Sequence, residues 1–113
     1  MRSGTLRHPV EIQRKDETLD DLGQPSETWY TVASVFAGIV PAAGGAARKL
    51  FPYLQEGVKI THAVTTRYVK DIRPGDRVSH RGRELHVMAA FNLHERDRET
   101  LLACEERLDE SED

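Results

Sequence analysis

The sequence predicts a mainly β protein: a small antiparallel β-barrel of about six strands, with one long loop between strands 2 and 3. Three observations predict it. Short stretches of alternating apolar and polar residues recur along the chain, and turn residues separate most of them. No stretch carries a sustained helical period, and there is no internal repeat. The 113 residues, 38% of them hydrophobic, suffice for one domain with a modest core.

Residues 1–8 are basic and polar and read as an arm. Pro9 to Lys15 alternates, with Val10 and Ile12 on one face and Glu11 and Gln13 on the other. Asp20, Asp21, Gly23, Pro25 and Ser26 supply turn chemistry for a long hairpin connection. The second strand spans Trp29 to Ile39. By the period of two, Trp29, Thr31, Ala33, Val35, Ala37 and Ile39 share a face, which makes Trp29 a core anchor. The third strand is read from Val58 to Tyr68, with Ile60, His62, Val64, Thr66 and Tyr68 together. Arg73 to Asp76 is a turn with Pro74 and Gly75. A short strand at Arg77–His80, a tight turn at Arg81-Gly82 and a strand from Glu84 to Phe91 follow, with Leu85, Val87 and Ala89 inward. Asn92 to Arg98 is a polar loop. In the last strand, Thr100 to Glu106, Leu102 and Cys104 face one way and Leu101 and Ala103 the other. The domain is expected to occupy residues 1–106, with 107–113 as an acidic tail.

Pro41 to Gly57 is the stretch around which the chain is organised. Its seventeen residues far exceed the roughly two to five of a common hairpin loop. Gly44 and Gly45 precede a dibasic pair, Arg48 and Lys49. An apolar and aromatic run follows in Leu50, Phe51, Pro52, Tyr53 and Leu54. That run can form a helical turn, but Pro52 and the two glycines argue against a full helix. The Gly and Ala content predicts a mobile segment.

The net charge is −3, yet Glu105 to Asp113 alone hold six acids and one base, which leaves the rest of the chain at +2. A mildly basic body with an acidic tail does not fit a high-affinity DNA binder. No run of about 18 apolar residues predicts a membrane span, and the first ten residues lack an apolar signal core. The single Cys104 excludes an internal disulfide. The five histidines and Cys104 show no metal-ligand spacing. The Gly44-Gly45 stretch lacks the Ser or Thr and the strand–helix context of a phosphate loop. No catalytic residue, metal or cofactor is expected. Recognition and assembly remain.

The order of motifs resembles the head-closure (stopper, or head–tail joining) proteins of long-tailed phages. The pieces are Gly4-x-Leu6-Arg7-His8-x-Val10-x-Ile12-Gln13-Arg14 and Glu27-Thr28-Trp29, then the alternation Ala33, Val35, Ala37, Ile39. Thr61-His62, Arg67-Tyr68, Arg83-x-Leu85-x-Val87, Glu95-Arg96 and Leu102-x-Cys104 complete the series, from residue 4 to 106. Gly44-Gly45-Ala46-Ala47 stands where relatives tend to be more polar. The resemblance implies a small β-barrel in a dodecameric ring of the virion neck, assembled in the host cytoplasm. The portal and its adaptor lie above, and a tail terminator or tail below. It also implies a long loop closing the channel on packaged double-stranded DNA. Gly44, Gly45, Arg48 and Lys49 are then the DNA-proximal loop residues, and Leu50, Phe51, Tyr53 and Leu54 pack loop against loop. Two other readings stay open: a different neck or tail-joining ring protein with a similar barrel, and a small β-barrel module binding peptide or nucleic acid.

Overall fold

Alternating apolar residues give six strands in the computed structural model, which describes residues 6–16, 18, 21–24, 28–52, 54, 57–92 and 96–107. They are β1 (His8–Lys15), β2 (Trp29–Pro41), β3 (His62–Arg67), β4 (Arg77–His80), β5 (Arg83–Asn92) and β6 (Glu99–Glu106). All neighbours are antiparallel, and the order β1-β2-β3-β6-β5-β4 closes on itself. The expected six-stranded barrel is present. Closure gives each described strand a neighbour on both sides, although the Trp29–Phe36 half of β2 is laddered to β1 alone.

The closing seam is the shortest ladder, with three paired positions between β1 and β4. Side chains reinforce it. The Arg77 guanidinium donates to Gln13 Oε1 at 2.7 Å. Arg14 meets both Asp76 oxygens at 2.9 Å. Asp76 is almost fully buried and also accepts from the Arg73 backbone N–H at 2.9 Å. The Arg73–Asp76 turn is thus tied to β1, with Gly75 at φ +99 as its second central residue. The β4–β5 turn puts Arg81 and Gly82 both at positive φ, as a two-residue hairpin of this hand requires.

Two bulges alter the faces read from the sequence. Ile12 lies opposite Ala33 but Gln13 lies opposite Thr31, so Val32 is an extra residue in β2. Ala33, Val35 and Ile39 pack on the barrel interior. Beyond the bulge the alternation flips, and Trp29 leaves the core face. It is half-buried, with the Arg77 guanidinium 4.1 Å from its ring centroid and His86 edge-on at 6.3 Å. In β5, Met88 is the extra residue between Val87 and Ala89. Ala90 therefore packs inward in place of the expected Ala89.

The barrel interior is filled by Ile12, Val64, Val78, Leu85, Val87, Leu102 and Cys104, each at most 1% exposed. A second apolar cluster lies on the outer face of β3, β6 and β5. Ala63, Ala103 and Ala89 form a shallow floor there, and the long connection supplies the cover. The third strand begins at His62, four residues later than the sequence suggests. The Thr61 N–H turns to Cys104 O and its carbonyl accepts from Ala42 N–H, both at 2.9 Å. Ile60 then leaves the ladder and joins the outer cluster.

Candidate functional site

The long connection departs from one end of the barrel, and its base is fastened there. Besides the Ala42–Thr61 and Thr61–Cys104 backbone bonds, Glu106 N–H donates to Thr61 Oγ1 at 2.7 Å. The same hydroxyl lies 2.8 Å from His62 Nδ1. Arg83 grips the Glu106 carboxylate with two bonds of 2.8 and 2.9 Å. These bonds hold the Glu106 carboxyl below the usual carboxylate range. His62 Nε2 stands 3.9 Å from the same carboxylate. The connection thus rises from a cross-braced rim.

Gly44, at φ +58, reverses the chain, and a short helix α1 (Gly45–Leu50) follows. Its bonds run from Arg48 N–H to Gly44 O at 3.1 Å and from Phe51 N–H to Ala47 O at 2.8 Å. No side chain caps its start. Six residues are far below the roughly 12–15 at which an isolated helix becomes marginal, so docking holds it. Ala47 and Phe51 are buried, and Phe51 stacks on Phe91 with centroids 5.7 Å apart. Burying one such aromatic stabilises by about 1.5–3 kcal/mol. The sequence suggests a helical turn at Leu50–Leu54. The helix lies earlier, because the face of Ala47 and Phe51 meets the alanine floor.

The site residues named from the sequence divide by environment. Gly44, Gly45, Arg48, Lys49 and Leu50 are exposed on one flank of the helix. Phe51 is taken up by its own barrel, and Leu54 packs partly beside it. Tyr53 lies outside the described residues. Arg48 and Lys49 occupy the last helical turn, where the partial negative charge of the carbonyl end favours cations. Sequence reasoning misses Lys59, which lines one groove together with Arg48. Alternation assigns it to a strand face, and only the late start of the β3 ladder puts it with the connection. Sequence reasoning also misses the Arg83–Glu106 brace, whose partners are 23 positions apart.

Cys104 is buried, and burial pushes its thiol up to about 12. Among the described residues, no three His, Cys, Asp or Glu side chains converge as metal ligands, and no helix is long and apolar enough to cross a membrane.

A protein-family model described as phage head completion protein matches residues 1–107. Among solved structures, protein SF1141 from Shigella flexneri 2a is similar at a TM-score of 0.71 and 27% identity, over 97% of this chain and 100% of that one. A chain from the virion of a native gene transfer agent particle is similar at a TM-score of 0.63. At 16% identity, over 92% of this chain and 97% of that one, the likeness is one of fold. The search of curated proteins returned no match.

Proposed function

The chain belongs to the phage head completion protein family, and on that footing we propose that it is a structural protein of the neck in a tailed phage or phage-derived particle. Copies form a ring below the portal and adaptor, receive the tail or its terminator underneath, and close the DNA channel through residues 41–57. The role is one of assembly and needs no catalytic group.

One observation carries this reading. The connection is fastened at its base and by Phe51, while Arg48, Lys49 and Leu50 face solvent. With Phe51 released, each limb of about eight residues reaches roughly 25 Å at about 3.3 Å per residue. Release costs the burial of Phe51, about 1.5–3 kcal/mol. Packing Leu50, Phe51, Tyr53 and Leu54 against neighbouring loops offsets it. Arg48 and Lys49 then lie near the tip, repelling their ring mates until phosphates arrive.

The test replaces residues 43–55 by a short Gly-Ser turn and measures nuclease-resistant DNA in tailless heads that carry the altered ring. Loss of DNA from heads with an intact ring is expected. Full retention overturns channel closure and reassigns the segment as a docking surface for the adaptor or tail.

A further inference from the structure

His86 is a half-buried residue of β5. In the ladders it lies opposite Arg77 of β4 on one side and Glu105 of β6 on the other. Its ring meets the Trp29 indole edge-on, and the Arg77 guanidinium lies over the same indole, 4.1 Å from the centroid. Side chains from β2, β4 and β5 thus share one contact, and the indole already carries a cation. Among the described residues, the charged groups facing the imidazole are Arg77, Arg107, Glu84 and Glu105. They form two ion pairs, Arg77 with Glu84 at 3.0 Å and Arg107 with Glu105 at 3.1 Å. Lys15 of β1 lies opposite Trp29. Burial, and after it the Arg107 charge, holds the His86 ring below the usual histidine value, with Glu84 and Glu105 acting the other way. A hollow of about 350 Å³, lined in part by Trp29, His86, Met88 and Arg107, opens beside the contact.

A proton on His86 places a second cation against an indole that already holds one. The ring cannot serve both without crowding like charges together. Arg77 has two further anchors: Glu84, and Gln13 across the β1–β4 seam at 2.7 Å. Trp29 instead borders the hollow and has room to turn. We propose that His86 is a proton-operated switch of the Trp29–Arg77 stack. When neutral, it packs on the stacked indole; when protonated, it drives the indole off Arg77 into the hollow and bares an aromatic surface on this side of the barrel. Because the His86 value is lowered, the stack is complete at neutral pH and is lost as pH falls through that value. The switch stands on the barrel alone and is independent of channel closure by residues 41–57.

The test is an NMR titration of the full chain from about pH 7.5 to about pH 5, the range in which histidine rings change charge. The chain has one tryptophan, so its indole Nε1–H signal is unambiguous. That signal and the Arg77 Nε–H signal should move together with the His86 ring protons, at one midpoint below about 6.5. In His86→Gln the indole signal should stay flat over the same range. In Arg107→Gln, which removes a repelling charge, the whole step should move to higher pH with the indole following, and this variant carries the test if His86→Gln does not fold. Three results overturn the proposal: an indole signal that stays still while His86 titrates, an indole step that survives in His86→Gln, or a His86 midpoint that moves in Arg107→Gln without the indole.

Discussion

Trp29 shows how one residue can be read correctly by period and still be misplaced. The rule of two sends it to the core, but Val32 is an uncounted insertion, and neither Gly nor Pro marks the bulge. Its ring instead covers Arg77 on the outer surface. Trp29→Ala should therefore fold and stay soluble, losing about 1 kcal/mol. A buried aromatic would cost about 3–5 kcal/mol. Chemical denaturation separates the two. Cys104, by contrast, lies in a stretch with no insertion and is legible as a small core side chain. Glu106 gives a pH signature. Its folded value is lowered by Arg83, so the pair's contribution is present at neutral pH and lost as pH falls through that value. Glu106→Gln should cost about 0.5–1 kcal/mol at neutral pH and converge with the parent in strong acid, as read from urea midpoints.

The long connection is the element whose existence is legible in the sequence and whose form is not. Its length and its pair of glycines announce a special segment. Its helix has no side-chain cap and too few residues to declare itself, and the alanine floor that holds it comes from three distant strands. The two glycines also look equivalent in sequence and are not. Gly44 adopts φ +58, where a side chain is strained, whereas Gly45 sits at the start of the helix with open space where a side-chain methyl would project. Gly44→Ala should lower stability by about 1–3 kcal/mol, while Gly45→Ala should raise it by about 0.5 kcal/mol through the unfolded chain. Paired thermal melts give the signs directly.

At the scale of the molecule, strand count and the position of the long connection are legible because alternation and turn residues are local. Barrel closure is less so, since it depends on β1 meeting β4 across more than sixty positions. The short seam leans on Arg14. Arg14→Ala leaves the Asp76 carboxylate buried without its cation and should cost about 3 kcal/mol, seen as a lower urea midpoint with little change in slope. Closure also bears on how copies join: most strand backbone is already paired, and among the described residues the Trp29–Phe36 half of β2 keeps one side without a ladder, so neighbours meet mainly through side chains and loops. Strands β3 and β6 are unusual in being apolar on both sides, with Val64 and Leu102 facing in and Ala63 and Ala103 facing out. The outer side is kept from water by the docked connection. A molecule whose connection lets go in solution becomes sticky, because it bares Phe91 and Leu101 beside the alanines. Freedom of the connection is therefore tolerable only where another surface is waiting, so letting go and being received by a neighbour are two halves of one event, governed by how crowded the copies are.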